Sequence, residues 1–269
     1  NKHIDNLESF TNSISPNVII KGEDHNSDAN IAKKYADYLN FNHTEVKITP
    51  DIIVEEWDNA MYSIEEPRYN WNLPMYYYTN KFLSNNKIIV TMSGDVGDEI
   101  YGGYKQYQNM KQMATKPKTW KEFLKIWVHK FSAPVKLNIN FNYNDLVDVL
   151  EKALPEEIWN PDDVANSAMA LDCITTVSED FFSRNDRYGM AFSMEGRFPL
   201  ASKEYMQYCL SINSDYKIGK NDMNFKLPVR KAYKNKLPKY IFEKSKTGWS
   251  VPITYWLQNS EIVKKKFLE

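Results

Sequence analysis

Cysteine is scarce: Cys173 and Cys209 stand far apart as the only two, which argues against a disulfide framework or a cysteine-based zinc site. Four histidines, His3, His25, His43 and His129, show no metal-ligand spacing and read as surface or structural residues. There is no excess of charge of either sign. Lys and Arg number 34 against 35 Asp and Glu, which weighs against a nucleic-acid partner, for which a basic surplus is expected. No apolar run approaches the ~20 residues that span a membrane. A basic start followed by an apolar stretch is also missing, so a soluble, cytoplasmic chain with no membrane partner is expected. The first residue is Asn1 rather than Met, as in a processed product or a piece of a longer protein. No internal repeat or low-complexity block is found.

With 42% hydrophobic and 14% aromatic residues, the chain can bury a sizeable core, as one large domain or two modest ones. Its first hundred residues alternate between strand-like and helix-like patterns. Residues 7–11, 18–20 and 43–48 read as extended. Residues 27–39 read as a helix on the spacing of Ile31, Tyr35 and Leu39. Thr49-Pro50 predicts a capped helix with Ile53, Trp57 and Met61 on one stripe, and a second helix is expected over 74–83. The apolar run Ile88-Ile89-Val90 predicts a buried strand over 88–92. Such alternation predicts an α/β fold with a doubly wound, mostly parallel sheet over 1–107, followed by a mainly helical part over 108–269. In that second part Thr119 to Glu122 has capping-box form before an apolar face of Trp120, Phe123, Leu124, Trp127 and Phe131. Residues 132–143 read as a loop. Asn144 is expected to cap a helix through Leu150, and Asn160-Pro161-Asp162-Asp163 to start one running towards Asp180.

Three segments carry candidate chemistry. After the 88–92 strand, Gly94, Gly97, Gly102 and Gly103 are interleaved with Asp95, Asp98 and Glu99. A strand opening into a glycine-rich acidic turn is how an open α/β sheet builds a ligand site at its carboxyl edge. Glycines let the backbone approach an anion, and the carboxylates could hold Mg²⁺ or act as a base. A plain surface turn uses the same residue types. Arg184, Arg187 and Arg197 are three arginines within fourteen residues, suited either to surface ion pairs or to bidentate contact with phosphate oxygens. Lys244 and Lys246 flank a loop through Gly248 that either faces water or closes over an anionic intermediate.

Together these segments resemble the synthetase domain of glutamine-dependent asparagine synthetases, in order and over nearly the whole chain. Residues 93–104 are similar to that family's Ser-Gly-acidic-x-x-Asp-Glu-apolar-aromatic-Gly-Gly-Tyr motif, and 186–199 to its D-R-x-x-M-A-x-S-x-E-x-R-x-P segment. Lys226, Arg230, Leu237-Pro238, Lys246-Thr247-Gly248-Trp249, Pro252 and Trp256-Leu257 resemble its tail. His43, and Glu65-Glu66-Pro67 followed by Pro74, are similar to its H-x-E and D-E-P signatures.

The resemblance implies ATP-dependent adenylation of the aspartate side-chain carboxylate, then displacement of AMP by ammonia channelled from a glutaminase domain. It further implies that Asp98 binds Mg²⁺, Ser93 and Gly94 contact the adenylate end, and Arg187 and Arg197 hold pyrophosphate. Asp95 would take the proton of the attacking ammonium, Lys246 would stabilise the tetrahedral intermediate, and Tyr104 would order the pocket. These distant stretches are expected to line one charged cleft. The family's Ser-Gly-Gly-x-Asp-Ser phosphate turn does not occur in this sequence, so the fragment alone is expected to be inactive. Val96 stands where the family commonly has Gly, Ser202 where an Asp usually follows the R-x-P segment, and Glu65 where D-E-P has its Asp. Two alternatives stay open: a related synthetase acting on another carboxylate, as in β-lactam formation, and a non-catalytic remnant serving as a binding or oligomerisation module. A homodimer is left open as well.

Overall fold

The computed structural model describes residues 7–68, 70–129, 142–220, 225–243 and 250–269. The chain divides into two units, each drawn from separated stretches. The first comprises Asn1–Met92, Ser183–Arg197 and Lys246–Glu269, and the second Ser93–Phe182 and Phe198–Ser245.

In the first unit the described strands are β1 (Glu8–Ile14), β2 (Ile19–Ile20), β3 (Glu23–Asp24), β4 (Asn42–Ile48), β5 (Val90–Met92) and β6 (Glu195–Arg197). Two ladders are parallel: β1 with β4, from Glu8↔Asn42 to Ile14↔Ile48, and β5 with β6, from Val90↔Glu195 to Met92↔Arg197. Strands β2 and β3 form a short antiparallel pair. Helix α1 (Ser27–Leu39) makes the crossover between β1 and β4, as parallel pairing requires. Its buried side chains are Ala29 and Ala36 rather than the larger residues of the expected stripe. Asn26 fixes the approach to α1, accepting from the Ile14 amide at 2.6 Å and donating to the Ile14 carbonyl at 2.9 Å.

The Thr49 hydroxyl accepts from the Ile52 amide at 3.3 Å and Pro50 opens the helix, as its sequence predicts. That helix is two pieces, however: α2 (Pro50–Glu55) and α3 (Trp57–Ile64), meeting at Glu56. Buried Glu56 is held there by the Lys81 ammonium at 2.6 Å. Helix α4 (Leu73–Asn85) matches its expected span closely. The core of this unit joins Ile14, Val46, Ile48, Ile53, Met75 and Trp256. A second cluster joins Ala60, Ile64 and Leu73 to Tyr188, whose hydroxyl donates to the Ala60 carbonyl at 3.0 Å.

One expectation is corrected. The 88–92 strand is not buried: it shortens to Val90–Met92, and Ile89 is 68%, Val90 50% and Met92 68% exposed. Among the described residues only β6 pairs with β5, so one edge of this apolar strand has no ladder.

The second unit is helical. It contains α5 (Gly97–Tyr101), α6 (Lys105–Gln112), α7 (Trp120–His129), α8 (Tyr143–Ala153) and α9 (Val164–Asp172). The expected capping box forms in part: the Thr119 hydroxyl accepts from the Glu122 amide at 3.2 Å, while Glu122 accepts from the amide of Lys118, one residue before the cap, at 2.7 Å. Trp120, Phe123, Leu124 and Trp127 are buried as expected, whereas Phe131 and the loop expected over 132–143 lie almost wholly outside the described residues. Helix α8 is capped by Asn142, two residues before the expected position, and α9 by Asp163. After Asp172 the backbone widens into a π-helix, Cys173–Phe182, which the sequence pattern does not reveal. Among the described residues no helix is long and apolar enough to cross a membrane.

Two buried polar groups set testable costs. Asp172 accepts from the Tyr107 hydroxyl at 2.6 Å and the Trp127 indole at 2.8 Å. Asp172→Ala would strand both donors in the core and lower stability by roughly 2–6 kcal/mol, read from urea unfolding. A loss under about 1 kcal/mol would mean the pair finds other acceptors.

Lys217 is fully buried and donates to Asn166 Oδ1 at 2.7 Å. Burial pushes its ammonium down to about 8 from the ordinary 10.5. Below pH 8 both states hold the proton; from there to pH 10.5 only the unfolded chain does, so this lysine adds stability as pH rises through that window. Lys217→Met abolishes the linkage. The parent's stability should therefore rise by on the order of 3 kcal/mol relative to the variant across the window, and parallel pH profiles would refute it.

Candidate functional site

The acidic turn is built by three backbone decisions. Val96 adopts φ 76°, a left-handed conformation that a β-branched residue enters at a cost, while its side chain is buried among Ile100, Tyr101 and Cys173. This is the position where the related motif commonly has Gly, and the turn does require φ > 0. Helix α5 then runs one turn and closes at Gly102, φ 68°. A Cβ there would lie 2.5 Å from the Ile218 side chain. Finally the Gly103 amide donates to the Asp98 carbonyl at 2.8 Å.

Only some of the glycines leave open space. An added Cβ at Gly94 would meet nothing within 4 Å, so the backbone there is accessible to an anion. At Gly103 a Cβ would fall 1.6 Å from Asp98 Oδ1 and 2.6 Å from Lys226 Cε. The missing side chain is therefore what lets the Asp98 carboxylate and the Lys226 ammonium meet, at 3.0 Å.

The other turn carboxylate differs. Asp95 accepts from the Ser93 hydroxyl at 2.5 Å, and no cation pairs with it among the described residues. Behind them Glu99 is buried, with the Tyr104 hydroxyl donating to it. Burial raises its carboxyl above the usual range, and the Tyr104 bond partly opposes this. Burial and the adjacent Glu99 and Asp98 charges raise the Tyr104 phenol, so Tyr104 stays a donor. Glu99 was not singled out for a role from sequence, although the Asp98-Glu99 pair within the turn was its signal.

Lys226 also lay outside the sequence-derived site, known only as the start of the K-x-x-x-R tail. Among the described residues no group of three Asp, Glu, His or Cys side chains is placed to hold a metal ion. A carboxylate of the turn such as Asp98 could join a Mg²⁺ that arrives already coordinated by phosphate oxygens, since Mg²⁺ sites commonly use one or two carboxylates plus substrate phosphates.

Arg187 and Arg197 belong to the first unit. The Arg187 guanidinium donates to the Ile64 carbonyl at the end of α3 and lies 3.8 Å from Glu65 and 3.7 Å from Glu66. Arg197, 62% exposed, pairs with Glu195 at 2.8 Å on β6. Arg184, the third of the group, is buried with its guanidinium 4.1 Å above the Tyr76 ring. His43 is a β4 residue bonded to the Ser9 hydroxyl at 2.8 Å. Lys246, with the whole segment 244–249, lies outside the described residues.

Many helices around small parallel ladders, with an acidic turn directly after one strand, make this a mixed α/β protein. Residues 2–267 match the model of the asparagine synthase family, and the chain belongs to that family. It is 22% identical over 267 residues to glutamine-hydrolyzing asparagine synthetase 1 of Bacillus subtilis, covering 87% of this chain and 42% of the relative. It is also 21% identical to a Mycobacterium bovis protein named, provisionally, as a glutamine-hydrolyzing asparagine synthetase, over 88% of this chain and 41% of that protein. The chain thus spans about two-fifths of the length of these relatives.

Gly103→Ala should test the turn. The added methyl must push Asp98 or Lys226 aside, an overpacking expected to cost roughly 1–3 kcal/mol in thermal or urea unfolding. A neutral or stabilising effect would show that the turn relaxes freely.

Proposed function

We propose that the chain is the synthetase part of an ATP-dependent, cytoplasmic ligase that makes asparagine, AMP and pyrophosphate from aspartate, ATP and ammonia. In the whole protein a glutaminase domain would release that ammonia from glutamine. The observation that supports this reading most directly is the unequal pair of carboxylates. Asp98 already has a cation, whereas Asp95 stands on an open turn with, among the described residues, a serine hydroxyl and no cation, which leaves it able to accept a proton.

In this reading ammonia attacks the acyl carbon, Asp95 takes a proton from the nitrogen that becomes cationic on bonding, and AMP leaves as the amide forms. Ser93 and the open backbone at Gly94 contact the adenylate, and Tyr104 holds Glu99 and so keeps the turn in place. Mg²⁺, entering with ATP, would be held by Asp98 and would neutralise charge that otherwise keeps carboxylate and triphosphate apart. Arg187 and Arg197 hold pyrophosphate, which requires each to exchange its present carbonyl or carboxylate partners for phosphate oxygens. Lys246 balances the negative charge of the tetrahedral intermediate. The two parallel ladders are read as parts of one doubly wound sheet of the adenine-nucleotide hydrolase type.

A second reading has its own support. Asp98, Arg187 and Arg197 all have counter-charges or carbonyls within the chain, as a non-catalytic remnant retained for binding would also show. Aspartate-dependent pyrophosphate release from ATP separates the two. The full-length protein should release pyrophosphate with aspartate and ammonia present. Asp95→Asn should lower amide formation by about 10²–10⁴-fold with an unchanged melting temperature. No release at saturating aspartate rules out this substrate, and full amide formation in Asp95→Asn removes the base assignment.

A further inference from the structure

We propose that the Lys226 ammonium holds, on Asp98, the place of a divalent cation, so that lysine and metal exclude one another and the metal binds only by displacing the lysine. The proposal rests on the reading above for the identity of the cation. Its geometry is independent of that reading. Lys226 Nζ stands 3.0 Å from Asp98 Oδ1, and both side chains are more than half buried. The contact is built rather than incidental, because Gly103 supplies the volume into which the carboxylate oxygen and the lysine stem fit.

The backbone of Lys226 is fixed while its charge is not. Lys226 has φ 52°, and the next residue, Leu227, donates its amide to the Lys217 carbonyl at 3.0 Å, anchoring the chain where the Leu227–Tyr233 helix begins. Beyond that anchor lies a four-carbon stem with a compact charge at its tip. A swing of the stem moves the ammonium without unfolding the turn.

Mg²⁺ and Mn²⁺ need direct contact with a carboxylate oxygen, at ~2.0–2.1 Å for Mg²⁺. An ammonium on that same oxygen blocks the approach and repels the incoming charge. With no cluster of three ligating side chains among the described residues, a bare ion gains little in exchange for the lysine. An ion that brings phosphate oxygens gains more, and those oxygens offer the released ammonium a new partner. The pair therefore neutralises Asp98 without ligand and makes metal binding conditional on nucleotide.

Mn²⁺ is the probe, titrated into the protein without nucleotide and followed by the loss of the free-ion electron paramagnetic resonance signal. Lys226→Met should bind Mn²⁺ at least about fivefold more tightly than the parent, the lower end of ordinary site-to-site coupling. Lys226→Met combined with Asp98→Asn should lose that gain. Lys226→Gln, which keeps a polar tip, should behave as Lys226→Met and covers the case in which the methionine variant fails to fold. Equal or weaker Mn²⁺ binding in the folded lysine variants overturns the proposal, as does a gain that survives Asp98→Asn. Failure of the amide-forming reading appears in the pyrophosphate assay and leaves this titration unaffected.

Discussion

The second unit is organised around one buried carboxylate. Asp172 closes α9 and receives a hydroxyl from α6 and an indole N–H from α7, so three helices meet on two oxygens. Satisfied polar contacts of this kind impose direction where apolar packing does not, because an unpaired donor in the core costs more than a displaced methyl. Helix α6 begins at Lys105, directly after Tyr104, and Tyr104 is bonded to Glu99 on α5. The orientation that Asp172 gives α6 therefore passes through two adjacent residues to the turn that holds Asp95 and Asp98. The same helix continues past Asp172 as a π-helix, a widened form that often sits near functional sites.

Strain and packing are balanced within the turn itself. Val96 is held at a positive φ that costs on the order of 1–3 kcal/mol, and its isopropyl group is buried against Ile100 and Cys173, which offsets part of that cost. Glycine at this position would relieve the backbone and lose the anchor. Gly102 and Gly103 solve the opposite problem. They stand where side chains from Ile218 and Asp98 already fill the space. The acidic turn is thus shaped from behind by hydrophobic contacts, with its carboxylates as the outward product.

Much of this was legible because it is local. The Thr49-Pro50 cap, the Thr119 to Glu122 box and the buried face of α7 follow from spacing and side-chain chemistry over a few residues. The break at Glu56 was not: the buried carboxylate there is bonded to Lys81, twenty-five positions away, and local spacing gives no sign of that partner. The exposure of the 88–92 strand is not legible, because β-branched composition reports suitability for a sheet, not what covers it. The acidic turn is visible as a motif, whereas the positive φ at Val96 comes from the structure. Lys226 was invisible as a site residue because its partner lies more than a hundred positions earlier, and a lone lysine gives no hint of such a pairing. Lys217, fully buried, likewise carries no mark in the sequence.

The charges assigned to chemistry differ from those of an enzyme with open anion and cation sites. Arg187 serves the end of α3 and two glutamates, Arg197 serves Glu195, and Asp98 serves Lys226. Ligand binding would then be an exchange of partners, in which each new contact gains only the difference between two ion pairs. Such exchanges yield modest affinity per contact, because the displaced partner must itself be resolvated or paired again. At Asp98, within the second unit, an incoming cation must displace Lys226, so it gains only what that displacement leaves over, and a ligand that offers the released ammonium a new partner gains more.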